Sequence, residues 1–99
     1  MNMQQMLAQA QKMQRELQKA QDELKKKEFS VSKGGAVTVV VLGDKSVKSI
    51  NVDPDAFDPD NKEMVEEMIV MAINEANTKI DEESAKINEA ITGRAGGLF

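Results

Sequence analysis

Met3, Met6, Ala10, Met13, Leu17, Ala20 and Leu24 recur alternately three and four residues apart, a 3.5-residue period held over three repeats. No strand can use that spacing, so the chain must open with a long helix whose apolar seam is narrow, as in a coiled coil. The positions between are mostly Gln, Lys, Arg and Glu, all good helix formers. The pattern predicts a helix over about residues 3–27, about 37 Å long at 1.5 Å per residue. An amphipathic helix packed on its own domain would carry the same stripe. The narrowness of the seam, and its Met and Ala content, favour a partner helix.

The period then changes to two. Phe29 and Val31 alternate with Glu28, Ser30 and Ser32, the pattern of a half-buried strand. Gly34-Gly35 supplies the positive φ that a hairpin turn demands. Ala36 to Leu42 is β-branched on both parities. Val37, Val39 and Val41 point one way, and Ala36, Thr38, Val40 and Leu42 the other, so the strand is expected to be covered on both faces. A second turn at Gly43-Asp44-Lys45 and a third strand over about Ser46–Val52 complete an antiparallel meander, residues 28–52.

Asp58 before Pro59 reads as an N-cap with proline at the first helical position. The second helix is expected over about residues 59–91, with Thr92–Phe99 a flexible tail. Val65, Met68, Ile69, Ala72, Ile73, Ala76 and Ile80 fall within an arc of about 140° at 100° per residue. Met64, Val70 and Met71 lie outside it, so the first half of this helix is apolar on more than one side. The whole reads as one α+β domain over residues 1–99, in the order α-β-β-β-α. A helix of about 50 Å overshoots strands of about 20 Å. Both helices must therefore project past the sheet, and their stripes are expected to find partners in a second copy, making a homodimer.

The chain holds no His and no Cys, which removes the common general bases, thiol nucleophiles and transition-metal ligands. No enzyme activity, cofactor or small-molecule substrate is expected. Asp53, Asp55, Asp58 and Asp60 form the one carboxylate cluster, but Phe57 and Asp58 break a calcium-loop pattern where it matters, and Asp-Pro turns explain the same residues. The absence of a signal-like or membrane-length apolar run predicts a soluble cytoplasmic protein.

Net charge is −4, yet it is unevenly spread. Residues 1–50 carry nine Lys/Arg against five Asp/Glu, and residues 51–99 carry four against twelve. A polyanion should meet the first half. There, Lys12, Arg15, Lys19 and Lys26 fall on the side of the first helix away from its seam, a stripe interrupted by Asp22 and about 21 Å long. Such a row suits backbone phosphates, which need positive charge and no base-reading device. An ordinary solvated helix face would look the same. No aromatic residue is there to stack on a single-stranded base, which favours duplex DNA. Lys33, Lys45 and Lys48 on the hairpins are the other candidate cations, and Glu63, Glu66 and Glu67 should face away from a polyanion.

Several segments together resemble the YbaB/EbfC family of bacterial nucleoid-associated proteins: Leu7-Ala-Gln-Ala-Gln-Lys-Met-Gln14, Gly34-Gly35 with Val37 and Val39, Ile50-Asn-Val-Asp-Pro54, Ala72-Ile-Asn-Glu-Ala76 and Gly96-Gly-Leu-Phe99. The resemblance spans nearly the whole chain. It implies an α-β-β-β-α fold, a tweezer-like homodimer with projecting helices, and low-specificity binding of double-stranded DNA in the nucleoid. It transfers no binding motif, so the four basic residues rest on spacing alone. The other reading is a helical protein–protein interaction module with only incidental DNA contact.

Overall fold

The computed structural model of the protein describes residues 2–94, with residue 94 described by its backbone only. The element order is α1 (Met3–Lys26), β1 (Glu28–Lys33), β2 (Val37–Leu42), β3 (Val47–Val52), two 3-10 turns (Pro54–Ala56 and Pro59–Asn61) and α2 (Lys62–Arg94). The architecture is α+β, with one antiparallel sheet in the order β1-β2-β3.

Local chemistry sets each boundary. The Asn2 side chain accepts from the Gln4 N–H at 2.8 Å and caps α1, which ends where Lys27 turns extended (φ −71°, ψ 141°). Gly34 and Gly35 take φ of +58° and +67°, and the Ala36 N–H donates to the Lys33 carbonyl to close the first hairpin. In the second turn, Asp44 Oδ1 accepts from the Ser46 N–H, so Ser46 belongs to the turn and β3 starts one residue later. Asp53 and Asp58 cap the two 3-10 turns by accepting from the N–H groups of Asp55 and Asp60, each at 2.9 Å. These capping bonds account for two of the four clustered aspartates.

The second helix therefore begins three residues later than its proline suggested and runs on to Arg94. Thr92, Gly93 and Arg94, expected in a flexible tail, continue the helix. Ile91 is buried, and the Thr92 hydroxyl donates to the Asn88 carbonyl at 2.6 Å, which holds the last turns helical. The remainder of that tail lies outside the described residues.

Strand register assigns the faces. Phe29 pairs with Val41, Val31 with Val39, Val39 with Ile50 and Val37 with Val52, so these residues share one side of the sheet. Ala72, Ala76 and Ile80 of α2 pack there, and together with Leu24 they form the core. Val39 and Val41 are fully buried. Among the described residues, no element covers the other side. Val40 and Leu42 are half-buried between Ser30, Ser32, Thr38 and Ser49, and the ion pair of Lys48 with Glu28 reaches across β2 beside Leu42. The expectation that β2 is covered on both faces therefore fails within one chain. A single helix lies against the sheet, and α1 packs on α2 rather than on the strands.

The seam of α1 finds its partner within the chain. Leu24 is buried, and Leu17, Ala20, Met13 and Ala10 are half-buried, where α1 lies against the C-terminal half of α2. Gln21 Nε2 donates to Asn88 Oδ1 at 3.2 Å, and the Ser84 hydroxyl donates to Gln21 Oε1 at 3.2 Å. The need for a second copy to satisfy this stripe is thus removed for most of its length. Met3, Met6 and Leu7 at the far end stay exposed. The paired helices form an arm, and the molecule measures 69 × 18 × 15 Å. Its radius of gyration is 19.7 Å, against about 13 Å for a compact chain of this length.

Candidate nucleic-acid interface

Leu24 points into the core, and a half-turn away around α1 the helix meets solvent. Lys12, Arg15, Lys19 and Lys26 are all exposed on that outer side. At 100° per residue the four lie within a sector of roughly 60°. Arg15, Gln18, Lys19, Asp22, Glu23 and Lys26 line one shallow depression, and Lys12 sits one turn beyond it. Asp22 interrupts the row, but its carboxylate is engaged sideways. It accepts from Gln18 Nε2 at 3.0 Å and meets Lys25 at 3.8 Å.

Ion pairing separates these four from the other cations of the first half. Lys33 meets Glu75 at 3.1 Å, Lys45 meets Asp81 at 2.8 Å, and Lys27 meets Glu83 at 2.5 Å while lying 5.4 Å from the centre of the Phe29 ring. Lys48 is paired with Glu28, and Lys25 with Asp22. Among the described residues, Lys12, Arg15, Lys19 and Lys26 are the four of the nine first-half cations without an ion pair. Sequence reasoning missed this sorting. Part of the charge asymmetry is consumed inside the molecule, where carboxylates of α2 clamp lysines of the sheet and of residue 27.

The opposite flank of the arm differs. A hollow of about 560 Å³ floored by Phe29, Ile87 and Ala90 sets Lys79 and Lys86 against Glu82 and Glu83, a balanced set with no net attraction for a polyanion. Glu63, Glu66 and Glu67 lie exposed on the first turns of α2, at the other end of the molecule from the arm's tip. Among the described residues, no group of three or more His, Cys, Asp or Glu is placed to hold a metal ion. No described helix is long and apolar enough to cross a membrane.

The profile of the YbaB/EbfC DNA-binding family matches residues 1–95. The chain belongs to the YbaB/EbfC family. A nucleoid-associated protein of Clostridium botulinum (strain Eklund 17B / Type B) is 51% identical over 100 residues, covering 99% of this chain and 88% of that protein. A nucleoid-associated protein of Clostridium novyi (strain NT) is 48% identical over 94 residues, covering 94% of this chain and 82% of its own length. One from Ruminiclostridium cellulolyticum is 44% identical over 98 residues, with 98% and 85% covered. This YbaB/EbfC chain thus joins a family named for DNA binding to an exposed cationic row on its first helix.

Proposed function

We propose that the chain binds double-stranded DNA through the outer face of α1, contacting backbone phosphates with low sequence specificity, and acts as a homodimer in the cytoplasmic nucleoid. The observation that carries this reading is the ion-pair sorting: Lys12, Arg15, Lys19 and Lys26 alone keep their charge uncommitted among the first-half cations of the described residues. The arm presents them on a helix stiffened by its own partner, and Lys12, Lys19 and Lys26 climb about 10 Å per step. A row of charge without base-reading geometry predicts affinity that is steep in salt and flat in sequence. The lack of His and Cys fits a binding protein rather than a catalyst.

The test is the variant Lys12→Gln/Arg15→Gln/Lys19→Gln, titrated against two unrelated duplexes at several salt concentrations. The variant should keep the fold and the oligomeric state, weaken equally on both duplexes, and flatten log K against log salt by about one unit per lost contact. Wild-type affinity with an unchanged slope overturns the assignment. Exposed Met3 and Leu7 at the arm's tip favour a second reading, docking of the helices onto another protein. Binding by that route would survive high salt.

A further inference from the structure

We propose that Leu98 and Phe99 seat on the bare N-terminal seam of α1, formed by Met3, Met6 and Leu7. The segment that follows α2 then clasps the two helices of the arm together at its tip.

The seam of α1 is covered in a gradient. Leu24 is 5% exposed at the root, Leu17, Met13 and Ala10 are half-buried, and Leu7, Met6 and Met3 are 59%, 40% and 79% exposed. The bare end belongs to the same face. At 100° per residue Met6 lies directly in line with Leu24, and Met3 about 60° from it. What changes is the cover. Gln21 Nε2 donates to the Ser84 carbonyl at 3.5 Å and to Asn88 Oδ1 at 3.2 Å, while Leu24 shares the core with Ile80, so the two helices run antiparallel. Carried on one residue against one, with Gln21 opposite residues 84–88 as its origin, this register sets Arg94 opposite roughly residues 11–15 of α1. Most of the stretch Met3–Lys12, about 15 Å of helix, therefore lies beyond the described end of α2.

Direction, length and chemistry commit this seat to residues 95–99. At Arg94 the helix is already carrying the chain along α1 toward the tip. An extended chain advances about 3.3 Å per residue, which brings Leu98 about 13 Å and Phe99 about 16 Å past Arg94, the span of the bare seam. Ala95, Gly96 and Gly97 come first. They are too small to hold a strap away from the helix, and the paired glycines oppose continuation of α2. Leu98 and Phe99 follow as adjacent apolar side chains, and methionines adapt readily to an aromatic ring. Charge agrees. Residues 2–11 hold no Lys, Arg, Asp or Glu, and neither do residues 95–99. A polyanion or an anionic lipid surface would find no counter-charge at this seat, because the first cation, Lys12, stands about 120–180° around α1 from Met3, Met6 and Leu7. Gln4 and Gln9 flank the seam with amides able to bond an extended backbone.

The test places cysteine pairs in this cysteine-free chain. Leu7→Cys/Leu98→Cys joins the seam to the strap. Gln5→Cys/Leu98→Cys is the control, since Gln5 lies about 160° around the helix from Leu7 at nearly the same height. Under mild oxidation the seam pair should close a disulfide within one chain about tenfold faster than the control pair, read on denaturing gels without reductant. Equal rates overturn the proposal. A disulfide that joins two chains overturns it as well and gives the seat to a second copy. A separate variant, Leu98→Ser/Phe99→Ser, keeps α1 unaltered. Amide hydrogens of residues 6–10 should exchange about tenfold faster in it than in the wild type, with residues 20–24 unchanged. Wild-type protection at residues 6–10 would show that nothing after α2 rests on the tip.

Discussion

Gly43 lies so close to Leu24 that a Cβ on the glycine would stand 1.7 Å from the Leu24 carbonyl oxygen. The Gly43 N–H also donates to the Lys27 carbonyl at 2.9 Å. The second hairpin turn is therefore the point where the root of α1 docks, and the obstacle to any side chain is backbone, which cannot rotate away. Gly43→Ala should cost about 3 kcal/mol, the upper end for overpacking. The melting temperature should fall by at least about 10 °C. A melt within a few degrees of wild type would mean that α1 is not anchored at this turn.

Val39 sits at the centre of the sheet with no exposed surface. Val39→Asp, or Val41→Asp, places a carboxylate among the buried apolar side chains of the core. Its burial costs several kcal/mol, against a total stability of about 5–15 kcal/mol for a domain. The variants should be unfolded or unassembled by circular dichroism and gel filtration. A cooperative melt near the wild-type temperature for either would show that water reaches this face.

The hairpin lysines supply the contrast to the α1 row. Lys33, Lys45 and Lys48 are each held by a carboxylate, and exposed pairs of this kind contribute about 0–1 kcal/mol each. Lys33→Gln/Lys45→Gln/Lys48→Gln should lower the melting temperature modestly and leave the salt slope of DNA binding within half a unit of wild type. A slope flattened by two or three units would move the phosphate contacts from α1 to the hairpins.

Asp44 is held below the usual carboxylate range by the Ser46 hydroxyl, with the Ser46 N–H adding to it. A folded-state pKa depressed in this way adds stability that is fully present above the ordinary carboxylate pKa. That stability is lost as pH falls through the lower folded value. The urea midpoints of wild type and Asp44→Asn should therefore differ at pH 7 and converge in acid. A gap that stays constant down to pH 2 would assign the turn's stability to something other than this carboxylate.

The helical period, the glycine pair and the alternating strands were legible because each is set by neighbours in sequence. Gly34 and Gly35 have the positive φ their adjacency demanded, and the 3.5-residue seam of α1 is the face that packs. The partner of that seam was not legible. The half of α2 that meets it offers Ser84, Asn88, Ile87 and Ile91, too few apolar positions to announce a matching stripe, and part of the contact is made by amide and hydroxyl groups. Alternation shows which residues of β2 share a side and not what lies above it, so it did not tell that only one face is covered within one chain. The candidate cations were found by spacing alone. That they are also the unpaired ones depends on Glu75, Asp81 and Glu83, which reach their lysines only after the chain has folded.

α1 is a helix with two unrelated obligations on its two sides: Leu24 is locked into the body, and Lys12, Arg15, Lys19 and Lys26 touch no carboxylate among the described residues. Exchanges along the outer row leave the packing untouched, and exchanges along the seam leave the row's charge untouched. Selection can thus retune the grip of such a protein on a polyanion, one lysine at a time, without first having to find compensating changes that keep it folded.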